Sequence, residues 1–449
     1  MLSSVARMHT FLKDSGLRNF RHLGSLKRSD KLCHVLPTFL YINKSYTSAM
    51  ADSSSLKQIA CSTIENRKEE LNQLSQKIWC NPELKYEEHQ AHDLLTGFLE
   101  KERFKVERNH HLPTAFKAIY ESGLGVTVAV ICEYDALPEI GHACGHNLIA
   151  ELGVAASLGI KAALEQSNSK LGKLVVLGTP AEEMGGGKID LINAGAFSDI
   201  DIAMMAHPKA FDISRPIALA NAIVTVRYRG RPAHASSLPW MGLNALDAAV
   251  MCYQGIACMR QQMKPTCRIH GIITNGGAAA NVIPELTELE FMVRGPTVVE
   301  VEELKKKAIQ CFEAAATMTG CTVELEWVPN AYANMVTNST LISLYEENAS
   351  KLGWHHHTEG KPELKTSGST DMGNVSYVVP SIHPFFNIGT DVSNHSRVFT
   401  EVAGSPGAQP YTLRAAKALA MTALDVLSQP QLINRIKEDF QKDLETNSS

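Results

Sequence analysis

Hydrophobic and polar residues follow two different patterns along this chain of 449 residues. Up to residue 216, uninterrupted apolar runs alternate with helical segments, and such runs are typical of strands buried on both faces. From 217 to 329, apolar and polar residues alternate, which favours strands with one exposed face. The buried pattern returns after residue 330, in Asn374–Val379 and in a final helix, Leu413–Leu427.

The spacing of apolar residues also predicts the individual elements. In the first part we predict helices at Leu56–Trp79 and Glu87–Lys101, and strands at Phe116–Tyr120, Val126–Cys132, Leu174–Gly178 and Ile202–Ala206. In the middle part we predict strands at Ala222–Tyr228, Arg268–Thr274, Thr287–Arg294 and Thr322–Trp327, and helices at Asn244–Met263 and Val298–Thr319. Strands that alternate with helices predict an α/β fold with a mostly parallel sheet.

The change of pattern predicts that one domain is inserted into another. The catalytic domain would consist of residues 51–216 and 330–449, and the inserted α+β domain of residues 217–329. Residues 1–50 carry eight basic residues against Asp14 and Asp30 and are rich in serine, which is typical of a mitochondrial presequence. Met50 would be a natural translation start for a cytosolic form of the protein. We therefore expect a cytoplasmic protein, with the mitochondrion or the nucleoplasm as alternatives.

Composition excludes several classes of partner. The formal net charge of -4 gives no signature of nucleic-acid binding. No apolar run reaches the ~18 residues that a membrane span needs. The ten cysteines are scattered along the chain without a paired framework, which favours reduced thiols in an intracellular compartment, some of them available to bind metal.

The stretch Glu133–Asn147 carries the strongest chemical signal. It lies between an apolar strand and a run of small residues, and it places Cys144 and His146 one residue apart, with Asp135 nearby. Thiolate, imidazole and carboxylate groups at a strand end are typical of a transition-metal site. The alternative is a polar loop with a buried structural cysteine.

Two further apolar strands end in residues that can bind metal. Leu174–Gly178 is followed by Glu182 and Glu183, and Ile202–Ala206 is followed by His207. Ligands in open α/β sheets collect at the carboxyl ends of the strands. Each group alone could be a solvated loop or a core histidine, but three successive strands that end alike favour a shared site. His395, in a polar loop before the last helix, is a weak candidate by itself.

Six motifs occur in a characteristic order between residues 55 and 430. They are DALPEIGHACGHN, TPAEEMGGGK, MMAHP, RGRPAHAS, NGGAAANVIPE and GSTDMGNVS. On these motifs the chain resembles peptidase family M20, the dinuclear-metal aminoacylase/carboxypeptidase family, and within it the amidohydrolase branch. The resemblance implies a zinc-exopeptidase-like catalytic domain interrupted by a ferredoxin-like dimerisation or lid domain.

The resemblance also assigns roles to the residues at the strand ends. It implies two divalent metal ions, expected to be zinc with manganese as the alternative, bound by Cys144, His146, Glu183, His207 and His395. Glu182 would be the general base, taking a proton from water and delivering it to the leaving amine. Asp135 would orient a ligand.

The resemblance places further residues around the substrate. His234 would stabilise the oxyanion in the active site of the partner subunit of a homodimer. Asn281 and Arg294 would contact the substrate carboxylate, and Gly368 and Ser369 would line the same pocket.

Two positions depart from the usual motifs of the branch. Asn147 stands where the branch usually has aspartate, which suggests a change in how His146 is held. Thr370 stands where it usually has glutamate, which suggests a different substrate pocket.

The resemblance is strongest to family members that cleave dipeptides with a C-terminal lysine, ornithine or arginine, including β-alanyl-lysine and γ-aminobutyryl-lysine. Such an enzyme would remove side products of carnosine and homocarnosine synthesis. Glu139 and Asp371 are candidate acids for reading the basic side chain. The alternatives are an N-acyl-amino-acid amidohydrolase and a metal-free pseudoenzyme that binds amino-acid conjugates.

Overall fold

The computed structural model describes residues 53–354 and 366–447 of the chain. The predictions for residues 1–50, on targeting and on the start site, lie outside these described residues. Within the described part, the secondary structure is organised around two separate sheets, each with its own hydrophobic core.

A six-stranded mixed sheet lies at the centre of the larger core. Its strands, in spatial order, are Lys105–Arg108, Phe116–Glu121, Lys173–Gly178, Thr127–Cys132, Ile202–Met204 and Ser381–Ile382. The first two pairings are antiparallel and the other three are parallel. Every residue of Thr127–Cys132 is buried, as expected for a central strand covered on both faces.

Helices flank this sheet. They cover 53–66, Lys68–Cys80, His89–Lys101, His146–Gln166, Gly187–Asn193, Ser339–Lys351, Met372–Val375, Arg397–Ala403, Gln409–Ser428 and Leu432–Asn447. The predicted α/β fold class is confirmed. The buried run Asn374–Val379, however, begins inside the short helix Met372–Val375 and continues as a turn.

His146–Gln166 is the one helix in the described residues that is long and apolar enough to cross a membrane by length and composition. It is almost entirely buried inside the protein. Its neighbours include Lys68–Cys80 and Gln409–Ser428, so its apolar surface is covered by other helices of this chain.

The predicted helix Leu56–Trp79 is divided in two at Arg67. The Arg67 guanidinium binds the carboxylates of Glu70 and Glu102, at 2.6 and 2.7 Å. The apolar spacing gives no sign of the interruption, because Ile64 and Leu71 are seven residues apart and lie on one face of a continuous helix as well.

The second sheet has four antiparallel strands. Its spatial order is Thr322–Trp327, Ala220–Arg229, Leu286–Gly295 and Arg268–Asn275. Helices Ala245–Met259 and Val298–Thr319 share a core with this sheet. Along the chain these elements follow the order β-α-β-β-α-β, which is the ferredoxin-like arrangement predicted for the inserted domain. The domain boundaries at 217 and 329 stay a prediction.

Short elements complete the described secondary structure. The strand pairs are Ile217–Ala218 with Thr366–Ser367 and His207–Lys209 with Phe385–Asn387, and the 3-10 turns are Pro239–Met241, Arg260–Gln262 and Pro406–Ala408. The last strand pair matters for the site, because it fixes the backbone of His207.

A buried carboxyl in the central helix generates a prediction about stability. Glu151 is fully buried, and its Oε2 accepts a hydrogen bond of 2.9 Å from Gln409 Nε2. Burial raises the pKa of Glu151 from 4.5 to about 7. The folded protein therefore retains a proton that the unfolded chain releases between these pH values, so this group makes folding less favourable as pH rises from about 4.5 to about 7.

We expect Glu151→Gln to stabilise the protein at pH 8, by up to roughly 3 kcal/mol, and to have little effect near pH 4.5. The new amide can donate to Gln409 Oε1, which has no hydrogen-bond partner among the described residues. Urea denaturation at the two pH values measures the difference. Glu165→Gln, at an exposed position of the same helix, is the control. An equal effect of Glu151→Gln at both pH values would contradict the prediction.

Candidate metal centre

The carboxyl ends of three neighbouring parallel strands place the predicted ligands together. The strands are Lys173–Gly178, Thr127–Cys132 and Ile202–Met204. Cys144 and His146 lie on either side of Gly145, whose φ of +79° is in the left-handed region. A Cβ at Gly145 would lie 2.6 Å from Pro208 Cγ, so glycine allows the ligand-bearing turn to approach the segment that carries His207.

The five predicted ligands form two groups that share Cys144, and His146 and Glu183 also form a group with Glu182. Cys144, His146 and His207 offer ligand atoms that all lie within 4.8 Å of one another, and so do Cys144, Glu183 and His395. Cys144 Sγ belongs to both groups and lies 3.4 Å from His207 Nε2. His395 Nε2 lies 3.3 Å from Glu183 Oε1. The weak candidate His395 is thus placed with the other four.

The second nitrogen of each buried histidine is held by a hydrogen-bond acceptor. Asp135 Oδ1 lies 2.9 Å from His146 Nδ1, and its Oδ2 accepts from the backbone N–H of Glu183 at 2.8 Å. His207 Nδ1 lies 2.8 Å from its neighbouring carbonyl, that of Pro208. Donation from Nδ1 leaves the Nε2 lone pair of both rings directed into the site, which is the arrangement that metal-binding histidines need. Asp135 therefore contacts both His146 and the loop that carries Glu183.

This donor set fits a pair of divalent metal ions. His146 Nε2 is fully buried and has no hydrogen-bond partner among the described residues. A buried nitrogen without a partner is costly unless it binds something. One thiolate, three imidazoles and a carboxylate are ligands that zinc and related transition metals prefer.

The Glu182 side chain lies beside this group, with Oε2 4.0 Å from His146 Nε2. Burial raises the pKa of Glu182 well above its usual range, and the carboxylates of Glu133, Glu183 and Asp371 raise it further. A raised pKa is what a carboxylate needs to hold a proton in one step and release it in the next.

The loop that carries Glu182 is tied to other segments by hydrogen bonds. Tyr332 Oη donates to the carbonyl of Glu182 at 2.5 Å. Asn330 Nδ2 donates to the carbonyl of Gly185 at 2.8 Å, and Tyr86 Oη donates to Asp190 Oδ2 at 2.6 Å and lies 3.1 Å from the Gly185 carbonyl. Sequence reasoning missed these residues, because no motif marks a side chain that acts by holding a distant backbone.

Sequence reasoning also missed a buried cluster of charged residues. Lys188 is fully buried, and its Nζ lies 2.5 Å from Glu133 Oε1 and 2.7 Å from Asp371 Oδ1. Asp371 was a candidate for reading the basic side chain of the substrate. Its carboxylate is instead held by Lys188, which removes it as a free acid. The GGGK end of the second motif was the only signal that could have pointed to Lys188.

The two departures from the usual motifs have structural roles here. Asn147 Nδ2 donates to Ser75 Oγ and to the carbonyl of Ala403, both at 3.0 Å, whereas His146 is held by Asp135. The suggestion that Asn147 alters how His146 is held therefore receives no support from its hydrogen bonds. Thr370 Oγ1 accepts from the N–H of Met372 at the start of a short helix.

The predicted substrate residues fall into two groups. Arg294 Nη1 lies 3.1 Å from Ser369 Oγ, and the carbonyl of neighbouring Gly368 accepts from the backbone of Leu219. His234 and Asn281 lie together in the second group, where the N–H of Ala235 donates to the Asn281 carbonyl. In the described part of the chain, no hydrogen bond or ion pair joins His234 or Asn281 to the five predicted ligands.

Comparison with known proteins identifies the class to which this fold and site belong. The sequence profile of Peptidase family M20/M25/M40 matches residues 130–408. The chain is 52% identical over 405 residues to the mouse protein named Xaa-Arg dipeptidase, a match that covers 88% of this chain and 94% of that protein. The human protein of the same name is 50% identical, with 87% and 93% covered.

More distant relatives agree with this result. One subunit of the p-aminobenzoyl-glutamate hydrolase of Escherichia coli is 28% identical, with 85% of this chain and 94% of that protein covered. Among solved structures, a dinuclear metal binding peptidase of the M20 family from Bacillus subtilis has a TM-score of 0.61 at 19% identity, over 80% of this chain and 99% of that one. The chain therefore belongs to peptidase family M20, and it is a metal-dependent peptidase.

The shared cysteine generates a prediction about metal content. Because Cys144 Sγ belongs to both groups of ligand atoms, we expect Cys144→Ala to lose both ions. Both variants would be dialysed against the same metal-free buffer. His207 belongs to one group, so His207→Ala should retain about one ion per chain. Elemental analysis of the purified proteins measures this, and Cys80→Ala, at an exposed cysteine, is the control. A Cys144→Ala protein that retains two ions would show that the thiolate is not shared.

Proposed function

We propose that the protein is a metallodipeptidase that hydrolyses dipeptides with a C-terminal lysine, ornithine or arginine. The observation that carries the proposal is the placement of a buried carboxylate, Glu182, beside two groups of metal ligands that share Cys144. The names of the mouse and human relatives, with about half of all aligned residues identical, support the substrate class.

Glu182 would act as the general base. Bound divalent cations would supply Lewis-acid activation of the scissile carbonyl and of the attacking water. Glu182 would take the proton of that water and pass it to the leaving amine, a role in which its burial and its neighbouring carboxylates favour proton uptake. We propose Cys144, His146, Glu183, His207 and His395 as the ligands, with zinc as the metal and manganese as the alternative.

Arg294 would bind the C-terminal carboxylate of the substrate. Its guanidinium contacts Ser369 Oγ, and no carboxylate pairs with it among the described residues. Burial lowers the pKa of Arg294, because this cation is held away from water without a counter-ion. A substrate carboxylate would provide one, in the bidentate geometry that arginine favours. Asn281, Gly368 and Ser369 would complete this pocket.

We propose that the protein acts as a homodimer in which His234 completes the partner's active site. The Nδ1 of His234 accepts from the backbone N–H groups of Ser236 and Ser237, at 3.3 and 3.2 Å. This fixes the proton on Nε2, so the exposed side of the ring can donate to an oxyanion. Exposed apolar side chains near His234 would suit contact with a second copy, and they are Leu238, Trp240, Met241 and Val282.

The substrate side chain and the cellular role are further parts of the proposal. Asp371 and Glu139 were the two candidate acids for binding the basic side chain of the substrate. Asp371 binds Lys188, whereas Glu139 binds no lysine in the described structure, so Glu139 is the acid that we propose. Removal of β-alanyl-lysine and γ-aminobutyryl-lysine formed during carnosine and homocarnosine synthesis, in the cytoplasm, would suit such specificity. An N-acyl-amino-acid amidohydrolase is the alternative.

A substrate panel tests the proposed function. We expect β-alanyl-lysine and γ-aminobutyryl-lysine to be cleaved, N-acetyl amino acids to be poor substrates, and a chelator to abolish turnover. The C-terminal amide of β-alanyl-lysine should be cleaved at least ~10-fold less efficiently, because it cannot form the charged pair with Arg294. Arg294→Gln should lose activity on the acid and not on the amide. Preferential cleavage of N-acetyl amino acids would favour the alternative.

Mixing two inactive variants tests the dimer. We expect Glu182→Gln and His234→Ala each to lower kcat/KM by about 10²-fold or more while metal content stays normal. Refolding them together should restore about a quarter of wild-type activity, because half of the dimers are mixed and one of their two sites is complete. Glu165→Gln, at an exposed position outside the site, mixed with His234→Ala is a control in which only the His234 defect is present. Failure of the first mixture to exceed its parents would exclude action of His234 in trans.

A further inference from the structure

The buried cluster around Lys188 leaves one carboxylate oxygen without an explanation. Lys188 Nζ binds Glu133 Oε1 and Asp371 Oδ1, and the backbone N–H of Lys188 donates to Asp371 Oδ2 at 3.0 Å. Both oxygens of Asp371 and one oxygen of Glu133 are thereby satisfied. All three side chains are fully buried, so none of them can rely on solvent.

The second oxygen of Glu133 lies next to the metal centre. Glu133 Oε2 has no hydrogen-bond partner among the residues that the structure describes, and it lies 3.6 Å from His146 Nε2. His146 Nε2 also has no hydrogen-bond partner among these residues, although Glu133 and Glu182 lie within ion-pair distance of it, and the Nδ1 of the same ring is held by Asp135. Two buried atoms that carry lone pairs therefore face each other.

The distance between Glu133 Oε2 and His146 Nε2 indicates whether these atoms bind each other directly or through an ion between them. A distance of 3.6 Å is too long for a hydrogen bond between nitrogen and oxygen. Two ligand atoms that each lie ~2.0–2.2 Å from one tetrahedral zinc ion are about 3.3–3.6 Å apart. The observed distance therefore fits a metal ion held between the two atoms.

We propose that Glu133 is a further metal ligand, which binds through Oε2 to the same ion as His146. The assignment rests on the metal centre of the proposed function and adds a ligand to it. Lys188 binds Oε1 and so directs Oε2 towards His146, as hydrogen-bonded partners of ligating carboxylates commonly do.

The charges of this arrangement balance. Lys188 offsets Asp371, and one divalent ion offsets the carboxylate of Glu133 and the thiolate of Cys144. The proposal also makes the two ions unequal. The ion bound by His146 would gain a carboxylate ligand, Glu133, that the other ion lacks. The ion bound by Cys144, Glu183 and His395 would keep an open position for substrate.

Two variants test whether Glu133 is a metal ligand or only a counter-ion of Lys188. Glu133→Gln and Asp371→Asn each remove one of the two carboxylates that bind Lys188, but only the first removes the proposed ligand. We expect Glu133→Gln to bind one of its two zinc ions at least ~10-fold more weakly, measured as zinc retained per chain during dialysis against increasing chelator. Asp371→Asn should retain both ions as the wild type does.

Cobalt substitution gives a second readout that does not depend on activity. The visible absorption of the cobalt-loaded protein reports the ligands around each ion, so Glu133→Gln should change this spectrum and Asp371→Asn should not. If Glu133→Gln fails to fold by circular dichroism, Glu133→Asp keeps the charge but shortens the side chain, and it should show the same weakened binding.

Wild-type zinc retention and an unchanged cobalt spectrum in a folded Glu133→Gln or Glu133→Asp protein would overturn the assignment, and so would equal losses in Asp371→Asn. The proposed dipeptidase function can be wrong even if the assignment of Glu133 as a ligand is right. A wild-type protein that binds two ions but cleaves no dipeptide would leave the ligand assignment intact, whereas the loss of one ion in Glu133→Gln would support it whatever the substrate is.

Discussion

Repulsion between buried carboxylates at the carboxyl edge of the central sheet is the constraint on which this site depends. The carboxylates of Glu133, Glu182 and Asp371 offer oxygens within 4.8 Å of one another, and Asp135 and Glu183 lie close by. Unpaired buried charges of this kind cost several kcal/mol each. Lys188 supplies one compensating charge, and divalent metal ions would supply the others. Burial raises the pKa of Glu182 and this crowding raises it further, and the same crowding would favour the binding of divalent cations.

The sheet makes this crowding geometrically possible. Neighbouring parallel strands end at one edge, and the loops that follow them carry Cys144, Glu183 and His207 into a common volume. The backbone of His207 belongs to a strand pair with Phe385–Asn387, so this ligand is fixed by a second short sheet. His146 lies at the start of a helix and His207 on a strand, whereas Cys144, Glu183 and His395 lie in the connecting loops.

The same geometry explains which parts of the fold and site could be predicted from the sequence. The α/β class and the β-α-β-β-α-β unit follow from the apolar pattern, whereas the full ligand set, His395 above all, was implied only by the resemblance to the family. Lys188 could not be predicted in this way. Its partners Glu133 and Asp371 are 55 and 183 residues away in sequence, and a lysine after three glycines gives no sign that it is buried.

The break at Arg67 and the role of Asp371 were missed for related reasons. The apolar spacing from Ile64 to Leu71 is the same with or without a break, because it reports only which face is buried. Asp371 lies within the motif GSTDMGNVS, which was expected to line the substrate pocket, and only the fold shows that its carboxylate binds Lys188. Pattern identifies the residues near a site, whereas the pairing of their charges depends on contacts between distant segments.

The position of Glu182 connects the two sheets. Ala181 and Met184 have φ values of +59° and +110°, which non-glycine residues adopt only where surrounding contacts enforce them. One of those contacts is the hydrogen bond from Tyr332, which lies just after Thr322–Trp327, the last strand of the four-stranded sheet. Arg294 lies on another strand of that sheet. If Arg294 binds the substrate carboxylate as proposed, a movement of this sheet would also act on the loop that holds Glu182, and the two proposed roles would be connected through Tyr332.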